Sequence, residues 1–320
     1  AFMCAITGII STSITSIDRN WLTASCNSMK HRGPDDYGEW WSSDKTVGLG
    51  HRRLSIIDLS SFGQQPMSDV TKEFVIVFNG EIYNYKELRS TLKSRGHSFQ
   101  THSDTEVILE SWKEWGEKSV ERLNGMFTFA IYDKKQKKIT IARDRAGEKP
   151  LFYMNYNNKL LFSSELKGLI VSKEIDASLN YDSMNSYLSM GFVPGDKSIL
   201  QGVNKLKPGH LLTYDCTKSL MTIKQYWSPP TPIIGKTDER ELVYELDGLL
   251  ELSVHRQMLA DVPVGVLLSG GVDSSLITAM AARSMNQVKT FTASFPGYKK
   301  YDESIHANLI ASHFSTKHTD

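Results

Sequence analysis

Val262–Ser275 read VPVGVLLSGGVDSS. The first seven residues form a short apolar run, the composition of a strand buried on both faces. Two glycines and serines follow, then LITAMAARS, which is helical in composition. Further on, KTFTASF reads as a second strand and ESIHANLIASHF as a second helix. Strand, loop, helix, strand, helix is the opening of a parallel α/β sheet. The loop itself suits phosphate. Its glycines let backbone approach a ligand closely, and Ser269, Ser274 and Ser275 add hydroxyls. The helix that follows offers free N–H groups and a positive dipole end. A Walker loop needs a lysine, and none is present. The lysine-free S-G-G-x-D-S pattern fits the pyrophosphate of ATP where AMP is transferred, and Asp273 is a candidate oxygen ligand for magnesium. The plainer reading is an ordinary glycine turn. The strand before it and the helix after it favour the phosphate loop.

Upstream, Asp238–Ala260 reads as a helix with Leu242, Leu246, Leu249 and Leu250 on one face. Before it, composition shifts near Tyr226, and WSPPTPIIGKT reads as a linker. Gly235-Lys236-Thr237 resembles the tail of a Walker loop. The required glycine five residues earlier is Pro230, so the match is discarded. The preceding two hundred residues alternate β-like runs with amphipathic stretches. Ala5–Ser11 is one such run, Thr46–Leu59 holds two more, and EFVIVFNGEIYN reads as a strand entering an Asn-Gly turn. Tyr85–Arg95 and Thr105–Trp115 read as helices. Met126–Tyr132 and Lys138–Ala142 flank a lysine-rich hairpin turn, and Leu160–Ser164 leads to Glu165–Val171. Strands mixed with helices without strict alternation predict α+β layers with antiparallel strands.

FNGEIYNY carries the chemistry of this first part. Asn79 and Gly80 would pair a side-chain amide with a flexible backbone N–H as oxyanion donors. Glu81, and Asp104 in HSDTEV, supply two carboxylates for an ammonium group. Arg52 or Arg53 in HRRLSI would clamp a carboxylate. Together these residues describe a site for an α-amino acid. Singly, each is more simply a surface charge. Cys4 heads the apolar run of Ala5–Ser11, where a small buried hydrophobe is the plain reading. A thiol reacts as thiolate and needs a base. His31 and His51 make no obvious pair with it. The α-amine of Cys4 itself would serve if Cys4 were the first residue.

Composition narrows the classes. The chain has 320 residues, enough for about two domains. A net charge of +1 gives no general electrostatic reason to expect nucleic acid or an anionic membrane. The run Lys134, Lys135, Lys137 and Lys138 reads as a solvated turn. Cys4, Cys26 and Cys216 are odd in number and widely spaced, so a reducing, cytoplasmic location is expected. No apolar run approaches the ~20 residues of a membrane span, and no signal peptide is visible.

In order along the chain stand MCAITG, HRGPDD, GHRRLSIID, FNGEIYNY, SDTEV, LNGMFTFAIYD, ARDRAGEKPLFY, KLKPGHLL and DVPVGVLLSGGVDSS. In these stretches the chain resembles the glutamine-dependent asparagine synthetases from end to end. The resemblance implies an α+β N-terminal-nucleophile (αββα) glutaminase domain over residues 4–225, a linker over 226–237, and over 238–320 the start of a parallel-sheet pyrophosphate-loop ATPase domain. Glutamine would release ammonia in the first. The second would use ATP and Mg2+ to adenylate a carboxylate, aspartate in this family, which ammonia then converts to the amide. Carried onto matching positions, Cys4 is the nucleophile and Asn79 and Gly80 the oxyanion hole. Arg53 holds the glutamine carboxylate, and Glu81 and Asp104 its ammonium. Leu268, Ser269, Gly270, Gly271, Asp273, Ser274 and Ala293 match the ATP site, with Asp273 toward the metal. A homodimer is also suggested.

Two departures bear on these expectations. Ala1-Phe2-Met3 precede the nucleophile, and excision at Met3 is expected to expose Cys4. The synthetase part ends at Asp320, so this chain is expected to keep the glutaminase half only. Two alternatives stand beside this reading. One is a paralogue amidating another carboxylate, such as a sugar uronic acid. The other is a binding module for glutamine or nucleotide without catalysis.

Overall fold

A computed structural model describes residues 3–12, 18–171, 175–232, 235, 238–295, 297–298 and 300–320. Ala1, Phe2, and Ile233, Ile234, Lys236 and Thr237 of the expected linker lie outside them. The chain divides into two compact units, Ala1–Pro230 and Thr231–Asp320. Among the described residues no helix is long and apolar enough to cross a membrane.

The first unit is built on two sheets whose central strands are buried on both faces. Strands β1 (Ala5–Ser11), β2 (Asp36–Trp41), β3 (Val47–Arg53), β8 (Phe152–Tyr156), β9 (Lys159–Ser163) and β10 (Asn204–Lys205) form one antiparallel sheet. Its order is β10–β8–β9–β1–β3–β2. Strands β4 (Met67–Ser68), β5 (Phe74–Ile82), β6 (Gly125–Asp133), β7 (Lys138–Arg143), β11 (His210–Asp215) and β12 (Leu220–Gln225) form a second, ordered β12–β11–β7–β6–β5–β4. Successive side chains of a strand face opposite ways. Ile6 and Ile10 of β1 therefore meet Val75 and Val77 of β5 in a core between the sheets, closed by Leu49, Ile141, Phe162 and Tyr214. Ile9 turns outward against Trp21 and Leu22 of α1 (Arg19–Ser28) and Leu169 of α4 (Leu166–Leu169). Ile76 and Phe78 turn outward against Leu88 and Leu92 of α2 (Tyr85–Ser94) and Val107 of α3 (Asp104–Trp115). The layers run helix, sheet, sheet, helix, the αββα arrangement expected. A further helix, α5 (Tyr181–Met190), leaves Tyr187 and Leu188 exposed.

Two local expectations are corrected. Asn79-Gly80 is not a hairpin turn: β5 runs straight through it, with Asn79 opposite Thr128 and Gly80 opposite Phe127. Pairing with β6 along the whole strand overrides the local turn preference. The second β-like run expected within Thr46–Leu59 is also absent, because β3 ends at Arg53. Leu54, Ile56 and Ile57 line a pocket instead, and the Arg53 guanidinium binds the backbone carbonyls of Ile57, Asp58 and Ser60. That grip curls the segment into a loop.

In the second unit β13 (Gly265–Leu267), β14 (Lys289–Phe291) and β15 (Lys317–Thr319) form a parallel sheet in that order. Helix α7 (Val272–Ser284) follows β13, and α8 (Ser304–His313) joins β14 to β15. The core gathers Val254 of α6 (Glu239–Gln257) with Val266, Met280, Ala281 and Val288. The buried stripe of α6 runs through Leu250 and Val254. Leu242, Leu246 and Leu249 stay exposed, contrary to the single apolar face read from spacing.

Candidate active site

Cys4 stands just before β1, the strand at the centre of its sheet. The head of that strand is pinned on both sides. Ile6 N–H donates to Ser164 Oγ at 2.9 Å, and Arg32 Nε donates to the Cys4 carbonyl at 3.0 Å. The Leu54 N–H points at Cys4 Sγ from 3.3 Å. Burial pushes the thiol up to about 11, so at neutral pH it rests protonated.

One pocket of about 320 Å³ opens on this sulfur. Among the residues that line it are Cys4, Arg53, Asn79, Gly80, Glu81 and Asp104. All the residues matched to the glutamine site are thus brought together from four separate stretches of chain.

β5 supplies the centre of the pocket. Phe127 turns its N–H and C=O toward Asp144, away from β5. Gly80 and Phe127 are therefore a non-hydrogen-bonded pair, and the Gly80 amide faces the open side of β5. Its neighbours two residues either way confirm the direction. Phe78 N–H donates to Gln65 Oε1 at 2.6 Å, and Ile82 N–H to Asp104 Oδ2 at 3.0 Å. Gly80 sits at φ +156, and a Cβ there would lie 2.1 Å from the Met126 carbonyl oxygen. Only glycine fits. The Asn79 side chain is fully buried, and neither its Nδ2 nor its Oδ1 has a partner among the described residues.

The charged groups divide by function. Asp104 opens α3, where the helix start favours a carboxylate. Burial nevertheless raises it to about 7, and the nearby Glu81 charge adds to the rise. Burial raises Glu81 too, with Lys149 opposing. Two such carboxyls side by side await a cation. Arg53 lines the same pocket while its guanidinium braces the loop carbonyls, and Gly63 leaves room for it.

Sequence reasoning missed several lining residues. Gln65 and Thr105 pack under β5, and Leu54 N–H reaches the sulfur. Lys149, in the quoted ARDRAGEKPLFY, lines the pocket far along the chain from Cys4. Nothing in local spacing singles it out. The two histidines do other work. His31 meets Glu165, and buried His51 bonds the Phe78 carbonyl, held neutral with its pKa down at about 3, mainly by burial.

The second unit places its own expected residues together in part. Leu268 is buried at the end of β13, and Ser269, Gly270, Gly271, Asp273 and Ser274 turn into α7. Ser269 Oγ and Ser274 Oγ are 3.0 Å apart, and Gly271 N–H donates to Ser269 Oγ at 3.3 Å. Gly270 has φ +78 against the backbone of His306. Ala293 lies beyond β14 and is exposed. The start of α7 has no side-chain cap, and Ser275 Oγ is buried without a partner among the described residues. Uncapped N–H groups and an orphan hydroxyl fit a phosphate group. Among the described residues no three His, Cys, Asp or Glu side chains gather to hold a metal. Exposed Asp273 could share a magnesium ion with phosphate oxygens only.

An αββα sandwich with these donors around a cysteine at the head of its central strand is the class II, N-terminal-nucleophile glutamine amidotransferase fold. Comparison with known proteins narrows this further. The glutamine amidotransferase domain family matches residues 3–227, and the asparagine synthase family residues 245–320. A putative glutamine-hydrolysing asparagine synthetase of Methanocaldococcus jannaschii is 37% identical over 338 residues, covering 99% of this chain and 64% of that protein. The glutamine-hydrolysing asparagine synthetase 1 of Bacillus subtilis is 38% identical over 305 residues, covering 94% of this chain and 47% of that protein. Among solved structures, a B. subtilis glutamine phosphoribosylpyrophosphate amidotransferase shares the fold with a TM-score of 0.50 at 16% identity, over 99% of this chain and 65% of that one. The chain belongs to the glutamine-hydrolysing asparagine synthetase family, and it spans only about half to two thirds of the length of these relatives.

Proposed function

We propose that the first unit hydrolyses glutamine at the Cys4 pocket, once Met3 and what precedes it are removed. The observation that carries this reading is the Asn79 carboxamide, buried and unpartnered beside Cys4 and Gly80. A site that keeps a polar group unsatisfied is prepared for a charge that appears only during reaction.

The glutamine ammonium lies between Glu81 and Asp104, and its carboxylate meets Arg53. The α-amine of Cys4 takes the thiol proton as Sγ attacks the δ-carbonyl carbon. A C–S bond forms, and the carbonyl π-electrons move onto oxygen, toward Asn79 and the Gly80 N–H. As the C–N bond breaks, the amine passes its proton to the leaving nitrogen, releasing ammonia. Water then cleaves the thioester, giving glutamate and restoring the thiol.

In the whole protein this ammonia amidates a carboxylate, which we assign to aspartate. Ser269–Ser274 would hold the phosphates of ATP and Asp273 would face Mg2+. The nucleotide supplies activation of the acceptor carboxylate. The unpaired cysteines suit a cytoplasmic setting.

Cys4→Ala tests the nucleophile. In the chain that starts at Cys4 it is expected to abolish glutamate release from glutamine. In the whole protein it should leave asparagine formation from ammonia intact. Surviving glutamine hydrolysis would remove Cys4 from its role. Offering aspartate and a uronic-acid sugar to the whole protein decides the acceptor.

A further inference from the structure

Among the described residues, Lys149 is the charged residue lining the pocket that the proposed mechanism leaves unused. Its backbone is fixed at three points. Lys149 N–H donates to Asp144 Oδ2 at 3.0 Å, and its carbonyl accepts from Arg143 Nε at 2.8 Å and Thr128 Oγ1 at 3.3 Å. The residue is only 4% exposed. A buried ammonium is costly unless paired, yet among the described residues no carboxylate comes within ion-pair distance of it. Its Nζ instead lies 3.0 Å from Met3 Sδ, on the side of Cys4 from which the preceding chain enters. Arg32 holds the same segment: its carbonyl accepts the Met3 N–H at 2.9 Å and its Nε donates to the Cys4 carbonyl.

We infer that Lys149 is a positioning residue acting through Cys4. Resting on the glutaminase reading above, its buried cation stands beside the amine that Cys4 exposes and keeps that amine unprotonated at neutral pH. A neutral amine can take the thiol proton, whereas an ammonium cannot. A nearby positive charge disfavours the charged form of an amine.

The other charges around the pair set the balance. Glu81 from β5, Glu148, Arg32 and Cys4 face Lys149, and Asp104 and Arg53 also face Cys4. Glu81 and Asp104 oppose the effect in the empty pocket. With glutamine bound they are engaged by its ammonium, leaving solvent-exposed Glu148 as the remaining carboxylate against Lys149 and Arg32. The pH profile of kcat, which reports the substrate complex, is therefore the sensitive readout.

The test compares the full chain beginning at Cys4 with its Lys149→Met and Lys149→Arg variants. The acidic limb of kcat at saturating glutamine should move up by about one pH unit in Lys149→Met, toward the ordinary α-amine range of about 7.7–8.0. On that limb this is a roughly ten-fold loss of rate. Lys149→Arg, which keeps the charge, should restore the wild-type limb. Coincident limbs in wild type and Lys149→Met would overturn the inference. The pH dependence of acylation of the terminal amine, measured without glutamine, reads the same group independently of turnover. If the wild-type chain released no glutamate, the glutaminase reading would fail. Equal amine titrations in the two proteins would then still overturn the role of Lys149, and a higher value in Lys149→Met would support it. Should Lys149→Met fail to fold, Lys149→Gln is read by the same amine titration.

Discussion

Asn79 is fully buried, and neither end of its carboxamide meets a partner among the described residues. Burying a polar group unpaired costs about 1–3 kcal/mol. Such an arrangement persists in a stable fold when it serves the reaction rather than the native state. Asn79→Ala is therefore expected to leave the thermal midpoint unchanged or raised. It should lower kcat for glutamine hydrolysis by about 10²–10³, the usual effect of removing one oxyanion donor. Calorimetry and a glutamate assay on the same sample read both. The identity of this residue was legible in FNGEIYNY, and its chemistry followed from residue type. Its conformation was not legible. Asn-Gly favours a tight turn locally, and only the β6 partner, distant in sequence, holds it extended. Lys149 was legible in neither respect, because burial beside Cys4 arises from two crossings of the chain between sheets.

Elements decide how the carboxylates of the pocket ionise. Asp104 is the first residue of α3, capped by Ser103 Oγ, and it accepts the Ile82 N–H of β5. The Ile82 N–H and the position at the helix start favour the anion, but packing α3 against β5 buries the carboxyl, and burial wins, raising it to about 7. The unfolded chain ionises such a group near 3.9. Between about pH 4 and 7 the native state thus holds a proton that the unfolded state has lost. The stabilisation is full below about pH 4 and disappears as pH rises through 7. Asp104→Asn is expected to flatten this decline in urea midpoints measured from pH 4 to 8. KM for glutamine should also fall as pH rises through 7 in wild type and lose that dependence in the variant. The helix itself was readable from spacing over Thr105–Trp115. That its first carboxylate would sit beside Glu81 was not, since the two meet only where α3 docks on the strand.

Over the whole molecule, the pocket lies entirely within the first unit, between Met3 and Lys149. A chain that starts at Cys4 and stops at Pro230 is therefore expected to hydrolyse glutamine at close to the rate of the longer chain, measured as glutamate released. Loss of hydrolysis would show that Thr231–Asp320 shapes the pocket. The sequence by itself determined the class of each unit. Short apolar runs mixed with amphipathic stretches mark α+β layers, because strands buried on both faces need continuous apolar residues, and the lysine-free glycine loop after an apolar run follows from what phosphate requires. Residue types, set by chemistry that only a few side chains can perform, also pointed to Asn79, Gly80, Glu81 and Asp104, while the choice of Arg53 over Arg52 and the role of Cys4 came from the resemblance to the family. The tertiary structure alone decided three other matters. Pairing with β6 straightened Asn79-Gly80 and turned the Gly80 amide to the open edge. The Arg53 grip on carbonyls converted an apolar run into a pocket wall. The stacking of two sheets brought a buried lysine to the entrance of Cys4. Each depends on backbone pairing or burial between residues far apart in the chain, and such contacts leave no mark on local composition or spacing.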